Sequence, residues 1–193
     1  MFMRRFIQLQ LGLLLYGASL ALMVRADLGL NPWSVLLSLG MVVNLVGALV
    51  LLIWIPLRQK PGVGTLCNVL VIGTAADVAL LALPPIEGLA LRIVFLTAAI
   101  VLNGAATAAY IGAGLGPGPR DGLTTGLVRI SGWRIGWART AIEVAVLAIG
   151  WLLGGVAGVG TVLYALANGP LVQWFMARFE IAPKPEAAIA PST

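Results

Sequence analysis

The residues best suited to chemistry lie in a glycine- and proline-rich stretch at 112–123, which reads GAGLGPGPRDGL. It sets a cation beside an acid, Arg120 and Asp121, directly after prolines that interrupt any regular helix. A helix beginning near Asp121 would present unpaired N–H groups and partial positive charge, which favour an anion. The stretch therefore predicts part of a solute pathway, with these candidate residues: Pro117, Gly118, Pro119, Arg120 and Asp121.

Two plainer interpretations of this stretch stay open. Proline and glycine are also typical of an ordinary loop at the membrane surface, where the backbone meets water. Asp121 is also suited to capping the N-terminus of the following helix, and that is the favoured role for this residue.

Two further acids, Asp77 and Glu143, lie within long apolar runs. A carboxylate at membrane depth is costly, so both acids are candidates for coupling protons or cations to transport. A position near the outer headgroups is the alternative interpretation for Asp77. Glu143 follows Arg139 by four residues, so a structural ion pair along one helix face is the favoured interpretation. Hydrogen bonds between helices are expected from three amides: Asn68, Asn103 and Asn168.

The composition is that of a membrane protein that crosses the bilayer several times. Of 193 residues, 60% are hydrophobic and 10% are charged, and the mean hydropathy is +1.02; a soluble domain carries about 25% charged residues. The chain has no His and a single cysteine, Cys67, which excludes an internal disulfide, a Cys/His zinc site and a His-based triad. The sequence shows no Walker loop and no dinucleotide-binding fingerprint in the strand–loop–helix setting that such motifs require. We therefore expect no cofactor, no metal and no enzymatic activity.

Six apolar segments are long enough to approach or cross a hydrocarbon core. They are residues 6–24, 34–57, 63–83, 93–113, 137–153 and 161–176. The first is expected to stay on the mature protein as a span. A cleaved signal peptide is the alternative, because Val24, Arg25 and Ala26 resemble a signal-peptidase site.

The sequence contains two pairs of similar segments. Residues 17–36 match residues 104–123 at 8 of 20 positions, and residues 62–73 match residues 158–169 at 6 of 12 positions. The glycine- and proline-rich stretch thus has a weaker copy, which adds two pathway candidates: Asn31 and Pro32. An internal duplication is the interpretation we favour.

The duplication predicts two repeats of three spans, residues 1–90 and 91–180, followed by a loose tail at 181–193. Ten of the 12 basic residues fall on one side of the membrane if six spans start in the cytoplasm. This bias predicts that both termini are cytoplasmic. Because each repeat has an odd number of spans, the repeats must be inverted relative to each other, a common transporter plan with its site near the midplane.

The segments LGLNPW, GLGPGPRDGL and the paired GVGT resemble the YczE-like group of bacterial integral membrane proteins, often grouped with YitT-type proteins. The resemblance covers about residues 5–176 and implies a small multi-span protein of the bacterial inner membrane. It brings no catalytic residues to this chain. The sequence departs from the family pattern after Trp33, where the first half is shortened, either naturally or because residues are missing from this sequence.

The predicted fold class is an all-α polytopic membrane protein with about six transmembrane helices, as two inverted three-helix repeats with Gly/Pro-broken re-entrant or half-helix segments. The favoured function is passage of a small solute or ion, with an anionic group as a candidate. The alternative is a membrane scaffold or an accessory subunit of another assembly. The expected partners are the lipid bilayer and the solute rather than nucleic acid, and a homo-oligomer stays open. Transport predicts a polar cavity where the two motifs meet, whereas a scaffold predicts a filled centre.

Overall fold

The computed structural model describes residues 2–29, 50, 54, 62–152 and 158–179, and every structural statement below concerns this part of the chain. The described residues form α-helices without a strand, as the sequence predicts. The helices are α1 (Phe2–Ala26), α2 (Val63–Ala82), α3 (Leu89–Gly112), α4 (Pro119–Ser131), α5 (Ile135–Leu152) and α6 (Val159–Phe179).

Four of these helices, α1, α2, α3 and α5, are long and apolar enough to cross a membrane. They coincide with four of the predicted spans, at 6–24, 63–83, 93–113 and 137–153. The predicted span at 34–57 lies outside the described residues apart from positions 50 and 54. The last predicted span is helical as α6, which carries Pro170 inside the helix and is not among the four helices that meet this criterion of length and composition.

Contacts at the ends of α1 fix the directions of its neighbours. At the start of α1, Gln8 Nε2 donates to the carbonyl of Ala109 near the end of α3 at 2.8 Å, and to that of Phe179 at the end of α6 at 2.5 Å. At the other end, Arg25 Nη2 donates to the carbonyl of Leu80 near the end of α2 at 2.7 Å. Helices α1 and α2 are therefore parallel, whereas α3 and α6 run antiparallel to α1.

The two GVGT segments begin α2 and α6 in the same way. Gly64 N donates to the carbonyl of Leu115 at 2.8 Å, and Gly160 N donates to the carbonyl of Leu28 at 2.8 Å. The two acceptors, Leu28 and Leu115, occupy matching positions in the similar segments 17–36 and 104–123. Each GVGT segment thus holds the loop that follows α1 or α3 in the other half of the chain.

Glycine allows the helices to pack closely at two matching crossings. A Cβ on Gly17 of α1 would lie 2.5 Å from Ala75 of α2, and a Cβ on Gly104 of α3 would lie 2.7 Å from Leu171 of α6. Small residues let helix backbones approach each other in a membrane, where packing rather than water exclusion drives association. The outer surface of the bundle is apolar and carries exposed side chains such as Leu81 and Trp151.

Candidate functional site: a buried polar network

The centre of the site is a carboxylate held between a phenol and a guanidinium. Asp121 Oδ1 accepts from Arg139 Nη1, and Asp121 Oδ2 accepts from the Tyr110 hydroxyl. All three side chains are buried: Asp121 is 3% exposed, Arg139 4% and Tyr110 0%. A buried carboxylate with a cation and a second donor has the partners that its charge needs in a medium of low polarity.

Asp121 does not cap α4, so the role we favoured for it is wrong. The N-cap is Gly118, which has no side chain to cap the helix, and Pro119 is the first helical residue. Proline suits that position because its missing N–H has no partner there in any helix. Asp121 is therefore the third residue of α4, where its negative charge still lies at the positive end of the helix dipole.

Arg139 also contacts the acid one turn further along α5. Its Nη2 atom lies 3.8 Å from Glu143 Oε1, which confirms the predicted ion pair. With the Asn168 amide oriented so that its oxygen faces donors, that oxygen accepts from Arg139 Nε at 2.9 Å and from Nη2 at 3.2 Å. One guanidinium thus links α4, α5 and α6 through three different side chains.

The network continues from α6 to α1 through two amides and two hydroxyls. The Tyr164 hydroxyl lies 2.7 Å from Asn103 Oδ1 and 3.0 Å from the Asn168 oxygen, and its single proton can serve only one of them at a time. Asn103 Nδ2 donates to Ser19 Oγ at 2.8 Å, and Ser19 Oγ donates to the carbonyl of Tyr16 at 2.6 Å. The predicted bridging role of Asn103 and Asn168 is confirmed. We call the set of Ser19, Asn103, Tyr110, Asp121, Arg139, Glu143, Tyr164 and Asn168 the polar network.

Arg120 lies beside the polar network against aromatic rings. Its Nη2 atom donates to the Tyr16 hydroxyl at 3.1 Å, and its guanidinium carbon lies 5.7 Å from the centre of the Tyr16 ring. The Tyr16 ring in turn meets the Tyr110 ring edge to face, with centroids 6.0 Å apart. The predicted cation is therefore connected through Tyr16 to the Tyr110 that binds Asp121.

Protein groups cover the irregular backbone before α4. Thr65 Oγ1 donates to the carbonyl of Pro117 at 2.8 Å, and Trp54 Nε1 donates to that of Pro119 at 2.9 Å. Gly118 is buried against the side chain of Asn68, which leaves no room for a Cβ. Irregular backbone at membrane depth requires such partners, because lipid offers no hydrogen bonds.

Among the other predicted site residues, Asp77 is exposed on α2 and is not one of the residues that form the polar network. Asn31 and Pro32 lie outside the described residues. The three tyrosines of the site, Tyr16, Tyr110 and Tyr164, were missed by the sequence reasoning, which counted them as apolar.

A polar stripe on α3 could have revealed part of the network. Asn103, Thr107 and Tyr110 are spaced i, i+4 and i+7, which places them on one helix face. All three are buried, and the Thr107 hydroxyl has no hydrogen-bond partner among the described residues. Thr107 thus places a hydroxyl without a described hydrogen-bond partner between Asn103 and Tyr110, which both belong to the polar network.

The arrangement balances its charges. Arg120 and Arg139 are opposed by Asp121 and Glu143, so the four groups together are neutral when all are ionised. Within the described residues, no three His, Cys, Asp or Glu side chains come together as metal ligands. What the arrangement can do chemically is exchange protons and hydrogen-bond partners around Arg139.

The comparisons with known proteins agree with a membrane protein. Residues 3–177 match the model of a family of unknown function, DUF6198. The chain is 38% identical over 170 residues to an "Uncharacterized protein" of Haemophilus influenzae, covering 83% of this chain and 78% of that protein. It is 31% identical over 172 residues to the "Uncharacterized membrane protein YczE" of Bacillus subtilis, covering 84% and 80% of the two chains. No solved structure matches significantly.

Proposed function

Because this chain belongs to the DUF6198 family and is a YczE-like membrane protein, we propose that it carries a small anionic solute or ion across the bacterial cytoplasmic membrane. The single observation that carries this proposal is the polar network. Ionisable side chains within a membrane-embedded bundle are costly, and they commonly mark the pathway of an ion, a proton or a substrate.

Two inverted repeats provide the framework of the proposed transporter. The opposite directions of α1 and α3 support the inversion, because these helices carry the similar segments 17–36 and 104–123. The matched bonds of Gly64 and Gly160 support it as well, since each links one half of the chain to the other. In transporters of this plan, the site lies at the interface of the repeats.

In the proposed mechanism, Asp121 occupies the position that an anionic solute takes. Its carboxylate lies at the N-terminal end of α4 and contacts Arg139, and both features attract an anion. A solute carrying one negative charge displaces the carboxylate, and Asp121 takes up one proton. The neighbouring charged and titratable groups are Arg139, Glu143, Tyr110 and Arg120. The buried charge is then the same before and after binding, so each unit of negative charge moves with one proton.

Uptake by proteoliposomes tests this function. Purified protein is given a panel of small anions and cations with an inward proton gradient. We expect accumulation of at least one anion. We expect Asp121→Asn to reduce it by about a hundredfold, the lower end of the losses when a proton-transfer group is removed. Asp77→Asn is the matched control, because Asp77 is an exposed acid on α2. Equal losses in the two variants would contradict the role of Asp121.

The orientation of the chain in the membrane gives a further prediction. Glu87 and Ser131 are exposed at opposite ends of the bundle. In a Cys67→Ala background, Glu87→Cys should react with an impermeant thiol reagent from the periplasm, and Ser131→Cys only from the cytoplasm. The physical reason is the excess of basic residues at the end that carries Ser131. Labelling of both cysteines from one face would contradict the proposed topology.

A scaffold is the second candidate function, and one observation favours it. The groups of the polar network are satisfied mainly by one another and are almost completely buried, which also describes a static centre that fixes helix packing. If no solute accumulates and Asp121→Asn alters only stability, the scaffold takes precedence over the transporter.

A further inference from the structure

A groove of about 670 Å³ lies on the outer side of α5, away from the polar network. Its walls include Trp133, Arg134, Trp137, Thr140, Ala141 and Val144. Trp133 and Trp137 are 50% and 71% exposed. The groove is open along one side rather than enclosed.

The polarity of the groove changes along its length. Arg134 directly precedes α5, and none of the described residues that line the groove is acidic. From Arg134 to Val144 the chain advances ten residues along the helix, about 15 Å. That length is about half of a hydrocarbon core of roughly 30 Å, or one leaflet. The groove thus begins at a cation and ends among apolar side chains at the depth of the bilayer centre.

The surroundings place the charged end of the groove at a membrane interface. Gly136 N, at the start of α5, donates to Gln173 Oε1 near the end of α6 at 3.2 Å. Arg134 therefore lies at the same end of the bundle as Phe179 and the start of α1. This end also carries Arg4 and Arg129. Tryptophan is enriched at membrane interfaces because its ring is apolar and its edge is polar. Trp133 is therefore suited to the interface at this end of the groove.

We propose that this groove binds an anionic phospholipid, with the lipid phosphate on Arg134 and an acyl chain along Trp137, Ala141 and Val144. The Arg134 guanidinium can bind the lipid phosphate through two parallel hydrogen bonds. Its positive charge, with no acid among the described lining residues, favours an anionic headgroup over one that also carries a cation. The leaflet-long apolar wall selects an acyl chain, which a free phosphate lacks. The site is separate from the solute pathway and does not depend on the proposed transport function.

Native mass spectrometry of the delipidated protein tests the proposal by measuring the binding of two lipids, phosphatidylglycerol and phosphatidylcholine. The two lipids carry the same acyl chains and differ only in the headgroup. We expect phosphatidylglycerol to bind about tenfold more tightly, because both lipids offer a phosphate to Arg134 but the choline cation of phosphatidylcholine cancels the net negative charge. Arg134→Gln should abolish this preference, and Arg134→Lys should keep part of it. Trp137→Ala should weaken both lipids in parallel, because it removes apolar wall without removing charge. Arg134 and Trp137 are exposed, so these variants are expected to fold.

Arg4→Gln is the matched control, since it removes an exposed cation at the same end of the bundle outside the groove. It should leave the lipid preference unchanged. Equal binding of the two lipids, or a preference that survives Arg134→Gln, would overturn the proposal. Displacement of the lipid by millimolar inorganic phosphate would also overturn it, because the site would then be one for a free anion.

Discussion

Replacing Arg139 with methionine should lower the free energy of unfolding by about 3–5 kcal/mol, the usual cost of removing one partner of a buried ion pair. The variant leaves the carboxylates of Asp121 and Glu143 without the cation that contacts both. It also removes two donors from the Asn168 oxygen. Reversible unfolding in mild detergent, followed by circular dichroism, measures the loss.

Two further variants separate the buried charge from general damage. Arg4→Met removes an exposed cation of the same type and should change stability by less than about 0.5 kcal/mol. The double variant Arg139→Met with Asp121→Asn removes a charge of each sign, so its loss should be smaller than the sum of the single losses. An Arg139→Met loss no larger than that of Arg4→Met would contradict the network as described.

Replacing Gly64 with alanine should lower the free energy of unfolding by about 1–3 kcal/mol, through overpacking against a backbone that cannot rotate away. A Cβ at this position would clash with the Gly116 carbonyl and lie 3.1 Å from that of Leu115. The clash also strains the bond from Gly64 N to Leu115. The same unfolding measurement applies.

Gly73 provides the matched control on the same helix, because no atom of the described residues lies within 4 Å of the Cβ that alanine would add. Gly73→Ala should leave stability unchanged or raise it by up to about 1 kcal/mol, since alanine is the better helix former. Gly160→Ala should fall between the two, with its nearest contact the flexible end of Leu96 at 3.0 Å. Equal effects at Gly64 and Gly73 would show that the contact between GVGT and the loop contributes nothing.

The sequence predicted those helices that are marked by a continuous run of apolar residues within the helix itself. Long apolar runs predicted α1, α2, α3 and α5, because a membrane helix satisfies all its backbone groups within one segment. The pairing of Arg139 with Glu143 was likewise predictable, since residues four apart share a helix face. Pro119 could have corrected the assignment of the cap, because proline favours the first helical position and places the cap at Gly118.

The central contact could not be read from the sequence. Asp121 and Arg139 are 18 residues apart, on two helices joined by a turn, and only the packing of α4 beside α5 brings them together. Tyrosine adds a second difficulty, because its ring is apolar while its hydroxyl is polar, so the pattern of hydropathy does not mark Tyr110 or Tyr164 as polar.

The inversion of the repeats and the transport of a solute remain our proposals. The bonds from Gly64 to Leu115 and from Gly160 to Leu28 relate the similar segments to a three-dimensional arrangement. Each bond joins a segment of one similar pair to a segment of the other pair.

Proton movement during solute entry tests the central claim most directly. Proteoliposomes carry a pH-sensitive dye in their lumen, and the active anion is added outside without an imposed gradient. We predict acidification of the lumen with one proton for each negative charge taken up, and its loss in Asp121→Asn. Uptake of the anion by wild-type protein without any acidification would contradict the proposed mechanism, in which the solute replaces the Asp121 carboxylate on Arg139 and Asp121 takes up a proton.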